Sequence, residues 1–380
     1  MDWNLTDDQR LIVDMVHSFA EKELKPRAAE LDRTGEFPLA TMQRLADLGL
    51  MGMNVPAAYG GSEAGPVALS LALTEAARGC ASTAVTMSVT NMVGEAIVKF
   101  GVEEQKRRLL PRLNSGPFPI GSFALTESSS GSDAASLKTR AVLQGDEWVV
   151  NGSKIFISHG AYASVMVVWV RTGDAPGADG ISALLVERDT PGLIIGKHED
   201  KMGLRGSNTV SLAFEDCRVP RANLLGRPGE GFKIAMMALD GGRIGIGSQA
   251  IGIGRAALEA AVDYAKVREQ FGQPIGRLGA IQDKIADMAT QLEAARALTL
   301  RAAWLKETGQ RFGREASMAK LYASEALQRI VKEAVQIHGG YGYVKDYVVE
   351  RLFRDARVAT IYEGTSEIQR LVIARELLRD

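Results

Sequence analysis

Apolar side chains recur at three- and four-residue steps through Leu11, Ile12, Met15, Val16 and Phe19, with Asp7, Asp8, Glu21 and Lys22 around them. That spacing predicts an amphipathic helix. Thr6 ahead of Asp7, Asp8 and Gln9 supplies its capping-box start. Helical patterning, interrupted at Tyr59-Gly60-Gly61-Ser62, continues to about residue 120. The mixed-sign run Glu103 to Arg108 reads as a solvated helix face that Pro111 closes. Between about 121 and 228 the period shortens to short β-rich runs, Trp148 to Val150, Lys154 to Ile157, Val165 to Val170 and Ile181 to Val186. Asn151-Gly152 predicts a two-residue hairpin between the first two runs. Gly173 to Gly180 reads as a flexible turn, and Pro191-Gly192 and Gly203 to Gly206 punctuate later strands. The pattern predicts meandering antiparallel strands rather than a βαβ repeat. From about 229 the helical period returns near 233–268, 280–308, 313–338 and 364–379, which predicts a bundle. The expected fold class is α+β multidomain: an α-helical domain over 1–120, a β-domain over 121–228 and a C-terminal helical bundle over 229–380.

Charge changes the picture little and excludes much. Lys+Arg total 45 against Asp+Glu 46, a net charge of -1, over 380 residues. Nothing favours nucleic acid or an anionic membrane surface as partner. Cys80 and Cys217 are too few for a disulfide framework or a structural zinc site, and read as small buried hydrophobes. His17, His159, His198 and His338 lack metal-ligand spacing, so no metal is expected. The acidic start, MDWNLTDDQR, lacks the basic and apolar regions of a leader, and no apolar run is long enough to span a membrane. The expected location is the cytoplasm. Gly245-x-Gly247 and Gly252-x-Gly254 fit a loose dinucleotide pattern, but no strand precedes them. They read instead as small residues that let helices pack closely.

Four segments carry candidate chemistry. Phe123 to Asp133 offers hydroxyls, a glycine and backbone amides at a strand-to-loop junction, suited to a planar cofactor's polar edge or to a phosphate. In Phe156-Ile157-Ser158-His159 a strand would put the aromatic ring and the hydroxyl on one face. Gln336 to Tyr343 ends a helix with glycines that let a backbone approach a ligand, or simply cap the helix. Ile361 to Glu367 sets a carboxylate beside Gly364 ahead of a helix start; it reads as a cap or as a base on a tight loop.

These segments, in this order, resemble the acyl-CoA dehydrogenase family over essentially the whole chain. Further matches are Gly101-x-x-Glu104-Gln105-Lys106, Phe214 to Pro220, Gly229-x-Gly231-Phe232, Arg268-x-x-Phe271-Gly272 and Arg354-Asp355-Ala356-Arg357. Leu239 to Ile246 and Tyr362 to Ile373 look most like short-chain members, while His338 to Tyr343 with Lys345-Asp346-Tyr347 resembles enzymes for short branched acyl groups. The resemblance implies a β-barrel-like middle domain, a four-helix C-terminal bundle and a homotetramer built as a dimer of dimers. It also implies FAD as cofactor, an acyl-CoA substrate and an electron-transfer flavoprotein as acceptor. Carried over by motif, Phe123, Leu125, Thr126, Gly131 and Ser132 would surround the flavin with Phe156, Ile157 and Ser158. Arg268 and Phe271 would reach the FAD of an adjacent subunit, with Gln336, Ile337, Gly339 and Gly340 at that end. Thr365, Ser366 and Glu367 would also touch FAD. Ser132, Asp240, Arg243 and Gly364 would line the acyl-CoA site.

The resemblance further implies that Glu363 removes the α-proton while a hydride leaves the β-carbon for the flavin. Burial beside apolar groups is expected to raise its pKa above about 4.3. Some relatives place the base near Arg243, where this chain has Gly242. Departures from the family pattern are Phe156 for tryptophan, Ser158 for threonine, Ser128-Ser129 for Pro-Gly and Gly279 for glutamine. Competing expectations are a short branched-chain substrate, an oxygen-using oxidase or monooxygenase, and a non-catalytic scaffold that kept the fold.

Overall fold

The computed structural model describes residues 5–379. Much of the reading of the chain start falls on residues 1–4, outside the described ones. Helix α1 (Asp7–Phe19) begins as expected: Thr6 Oγ1 accepts from Gln9 N at 3.2 Å, and Gln9 Oε1 accepts from Thr6 N at 3.1 Å. It passes through a π-turn at Ala20–Leu24 into α2 (Lys25–Thr34), and α3 (Leu39–Asp47) follows. Next come α4 (Pro66–Gly79), α5 (Ala81–Phe100) and α6 (Glu103–Ser115). Pro111 does not close α6, which runs four residues past it. The ring removes one intrahelical bond, while Arg108 and Arg112 tie the helix to Glu187 and Gln105 Nε2 donates to Ala222 O and Leu224 O. The charged run is thus partly an anchor rather than only a solvated face.

Helix α5 is buried from Ala81 to Gly94 without a break. Its polar groups are mostly bonded inside, as burial demands. Thr86 Oγ1 meets His159 Nε2 at 2.9 Å, Thr90 Oγ1 accepts from Gly121 N at 3.2 Å, and Asn91 Nδ2 donates to Leu50 O at 2.9 Å.

The middle segment holds β1 (Gly121–Ala124), β2 (Arg140–Gln144), β3 (Glu147–Ser158), β4 (Val165–Arg171), β5 (Ile181–Glu187), β6 (Leu193–His198), β7 (Thr209–Pro220) and β8 (Leu224–Leu225). They form one sheet in the order β6-β7-β3-β2-β4-β5-β8, with β1 added to β4. The sheet does not close into a barrel. Two expectations need correction. The sheet is mixed rather than antiparallel: β1 runs parallel to β4. Nor is Asn151-Gly152 a hairpin, because β3 continues straight through it. The register slips between Val150 and Gly152 in a bulge. Gly152 has φ 141°, and a Cβ there would stand 2.7 Å from Thr139 Oγ1. Asn151 spends its side chain on Asp216, donating to Oδ1 at 3.0 Å and accepting from Asp216 N at 2.9 Å. The real turn is one step earlier, where Gln144 pairs with Glu147 around Gly145.

The chain then enters α7 (Gly231–Val267), a short ribbon of β9 (Glu269–Gln270) and β10 (Gln273–Pro274), α8 (Gly279–Glu307) and α9 (Gly313–His338). After these come α10 (Val348–Ala356), not foreseen from sequence, and α11 (Ser366–Leu377). The glycines of α7 pack as expected. A Cβ on Gly252 would stand 2.3 Å from Thr74 O, and one on Gly245 would stand 2.3 Å from Ser88 Oγ, so α4 and α5 lie directly on this helix. Arg354 joins three regions: its guanidinium grips Asp32 at 2.8 and 2.6 Å, binds Glu350, and donates to Met202 O at 3.1 Å. Both cysteines are buried and free. No helix among the described residues is long and apolar enough to cross a membrane.

Candidate active site

Between α10 and α11 the chain turns sharply, with Glu363 at φ 52° and Gly364 at φ 90°. A left-handed glutamate is strained and needs support from its surroundings. Lys320 Nζ, on α9, donates to Gly364 O at 2.7 Å, and Gln369 Nε2 donates to Glu363 O at 3.1 Å and Gly364 O at 2.9 Å. The Tyr362 hydroxyl is bonded to Gln249 Oε1 on α7. Thr365 is the N-cap of α11, its side chain accepting from Ile368 N at 3.4 Å, so the capping reading of this segment holds alongside its candidate chemistry.

The Glu363 carboxylate points inward. Its Oε2 is shielded from solvent and has no hydrogen-bond partner. A Cβ at Gly242 would stand 2.1 Å from that oxygen. The space that a side chain at Gly242 would fill is therefore the space that the Glu363 carboxylate occupies. Burial pushes Glu363 up to about 7, against the pull of Lys320 and Arg243. Arg243 is 4% exposed, pairs with Asp240 and donates to Ser317 Oγ at 3.2 Å, leaving its Nε without a partner. Asp240 also borders an open cavity of about 520 Å³ lined by the α8–α9 turn and by Val372 and Glu376 of α11. The structure thus gathers Glu363, Gly364, Asp240 and Arg243 in one place.

A second group forms where the β1 exit meets β3. Thr126 O accepts from Ile155 N at 3.0 Å, and Ser122 Oγ donates to Ser158 O at 2.6 Å, which brings Phe123 to Thr126 beside Phe156 to Ser158. Phe156 is exposed and Ser158 half-buried, with the buried Ile157 between them. A second register slip between Lys154 and Ile157 puts Phe156 at φ 55° and leaves it 62% exposed. Gly131 and Ser132 are exposed on the adjoining loop, whereas Leu125 and Ile157 turn into the core and present only backbone. The Ser128-Ser129 turn is closed by Glu127 N to Ser130 O at 2.9 Å and Ser130 N to Glu127 O at 3.1 Å.

Arg268, Phe271, Ile337, Gly339 and Gly340 line a third site, a cavity of about 540 Å³. Phe271 is 90% exposed, and the Arg268 guanidinium lies 5.6 Å from the Tyr341 ring centre. Ile337 is buried and Gln336 is exposed. His338 stacks on Tyr264 at 4.3 Å and its Nδ1 meets Ala334 O at 2.8 Å, a packed histidine rather than a metal ligand. This site lies at the far end of α7 from Gly242, roughly 39 Å along the axis at 1.5 Å per residue. Of the remaining predicted residues, Ser366 is buried with an unpartnered Oγ, and Glu367 is exposed on the first turn of α11.

Several site residues escaped sequence reasoning. Lys320 sits on the buried stripe of α9 with Ala316, Ala319, Ala323 and Leu327, and a lysine on an apolar stripe is the signal that marks it. Glu127 and Lys154 lie inside quoted segments yet received no role. Their side chains pair at 2.7 Å, 6% and 0% exposed, and Lys154 Nζ also donates to Leu125 O at 3.1 Å. Burial lowers Lys154 to about 8 despite Glu127. Gln369, Gln249 and Tyr362 carry no sequence signal beyond their place in helix or loop.

Comparison with known proteins gives a consistent picture. The N-terminal, middle and C-terminal domain models of acyl-CoA dehydrogenase match residues 6–117, 122–217 and 229–378. The chain is 49% identical to acryloyl-CoA reductase (NADH) of Anaerotignum propionicum, over 100% of this chain and 96% of the relative. It is 51% identical to the human mitochondrial short-chain specific acyl-CoA dehydrogenase, over 99% and 91%. Among solved structures it is similar to butyryl-CoA dehydrogenase from Megasphaera elsdenii, with a TM-score of 0.97, 44% identity and all of both chains covered. It is also similar to a chain from a structure of the electron transferring flavoprotein of Acidaminococcus fermentans, with a TM-score of 0.98, 46% identity and the same coverage. The chain therefore belongs to the acyl-CoA dehydrogenase family of FAD-dependent oxidoreductases and has its three-domain fold.

Proposed function

We propose that the chain desaturates a short-chain acyl-CoA to the trans-2-enoyl-CoA, with Glu363 as the base that takes the α-proton. The observation that carries this reading is the Glu363 carboxylate, its Oε2 shielded from solvent, unpartnered and held against the bare backbone of Gly242. A carboxylate whose pKa is pushed up to about 7 is matched to proton abstraction near neutral pH. Among the described residues the Glu363 N–H donates to no backbone acceptor. It is free to bind the thioester carbonyl as negative charge develops there.

The residues present fit FAD. An exposed Phe156 ring, on a segment joined to the one that carries the hydroxyls of Thr126 and Ser132, suits a flat, polar-edged ring system, and the open backbone at Gly131 leaves room for close approach. When bound, FAD supplies the acceptor for the hydride that leaves the β-carbon. Arg268, Phe271, Gly339 and Gly340 gather at the other end of α7 from Gly242 and Glu363, which favours their use by a neighbouring copy in a homotetramer. Asp240, Arg243 and Gly364 would line the acyl-CoA site. An electron-transfer flavoprotein is the proposed acceptor, supported by the Acidaminococcus likeness. The identity to short-chain enzymes supports a straight short acyl group. The likeness to a reductase supports a second reading, the same proton and hydride steps run toward the saturated thioester.

The test is to mix the FAD-loaded protein anaerobically with butyryl-CoA and follow flavin absorbance, for the native chain and for Glu363→Gln. Bleaching is expected from the first and almost none from the second, although the variant keeps FAD and binds acyl-CoA. Near-normal bleaching by Glu363→Gln overturns the assignment of the base. Oxygen consumption during aerobic turnover would replace the dehydrogenase reading with an oxidase, and reduction of acryloyl-CoA by NADH would favour the reverse direction.

A further inference from the structure

Lys154 and Lys320 are both fully buried, at 0% exposure. The first meets a carboxylate, Glu127. The second meets none among the described residues; its one hydrogen bond is to the carbonyl of Gly364, the residue after Glu363. A buried ammonium without a counter-ion is costly, and α9 would pack an apolar residue here at no such cost. The groups that face it are few. Helix α7 contributes Arg243, whose own carboxylate partner is Asp240. The turn contributes Glu363, α11 contributes Glu367, and α9 itself contributes Glu325. Glu363 is thus overlooked by two cations, of which Arg243 is already paired.

We propose that Lys320 is the positioning residue of the base. Its ammonium clamps Gly364 O and so fixes the left-handed turn at Glu363–Gly364, and its unpaired charge favours the ionised Glu363 carboxylate that accepts the proton. The inference rests on the reading of Glu363 as that base. It agrees with the direction of both titrations, since Lys320 pulls Glu363 down against burial and Glu363 pulls Lys320 up against burial. The sign follows: with the charge removed, Glu363 ionises at higher pH, and the acid side of the rate profile moves up with it.

The test compares Lys320→Met, which removes charge and donor, Lys320→Gln, which keeps a donor, and Lys320→Arg, which keeps the charge. The Glu363 carboxyl is titrated in the FAD-loaded protein by infrared difference spectroscopy, with Glu363→Gln as the subtraction that isolates its band. Flavin reduction by butyryl-CoA is measured over the same pH range. The native midpoint is expected near 7. In the Met and Gln variants it should rise by about one pH unit, the lower end of the effect of a nearby charge. At pH 7 the ionised share then falls about fivefold, and the reduction rate falls with it, further in Lys320→Met, where the turn loses its clamp. Lys320→Arg should keep the native midpoint. An unmoved midpoint in Lys320→Gln or Lys320→Met overturns the inference, and so does an equal shift in the Arg variant, which would assign the effect to packing. Normal flavin reduction by Glu363→Gln would instead overturn the base assignment beneath it.

Discussion

Replacing Gly242 by alanine adds one methyl group and separates stability from chemistry. The new Cβ would lie 2.1 Å from Glu363 Oε2, 2.8 Å from its Cδ and 2.9 Å from Met92 Sδ. Ordinary contact begins near 3.4 Å, so the carboxylate must withdraw by about an ångström. Both groups it meets are the ends of flexible side chains, so the fold yields cheaply. Alanine also favours a helix interior over glycine by about 1 kcal/mol. The melting temperature should therefore stay level or rise. The same ångström is expensive for proton transfer, because misplacing a reacting group by that distance costs about 100-fold in rate, or about 2.7 kcal/mol in the barrier. Anaerobic stopped-flow bleaching by butyryl-CoA measures the rate, with FAD content and acyl-CoA binding as controls. A reduction rate within a few-fold of the native chain would refute the reasoning, since the base would then not depend on the space at Gly242.

Three further substitutions test how the fold and the site are supported. Glu127→Gln leaves Lys154 buried without its carboxylate and should cost about 3 kcal/mol in urea denaturation and lower FAD retention; a change within experimental error would count against the pair as the tie between the two segments proposed to hold the flavin. Gly252→Ala drives a Cβ to 2.3 Å from Thr74 O and 2.9 Å from Arg78 N, backbone atoms that cannot swing aside, so a loss of about 1–3 kcal/mol is expected. Gly279→Ala, with nothing within 4 Å, should leave the melting temperature where it is or raise it.

What the sequence revealed and concealed follows from the range of the forces involved. The long C-terminal helices could be read to within a few residues because an apolar stripe repeats over many turns, as in α9 with Ala316, Ala319, Ala323 and Leu327. The Thr6 capping box is equally local and was equally legible. Asn151-Gly152 misled because the same dipeptide serves a bulge when the flanking residues pair across to β7 instead of with each other. That choice is made by distant strands, not by the dipeptide. The bulge at Phe156 was hidden for the same reason, since it too is set by pairing to β7. Pro111 misled because tertiary anchors held the helix that local propensity would have ended. Within the candidate site, Glu363 was singled out by likeness to a family, whereas Lys320 required the fold: only packing shows that its ammonium ends on Gly364 O.

Helix α5 has a consequence for how the chain is made. Its residues belong to three separate hydrophobic clusters: Ala84 and Met87 with the first helices and the sheet, Val85 and Met92 with α7 and α9, and Val93 and Ile97 with α6 and β4. A ribosome finishes α5 roughly 130 residues before α7 begins, and at about 5–20 residues per second that gap lasts on the order of ten seconds. Throughout that interval a helix with almost no water-facing side has only part of its partners. The nascent chain is therefore most prone to aggregation midway through synthesis, while the sheet is being made, and the N-terminal third cannot settle into its final packing until α7 arrives.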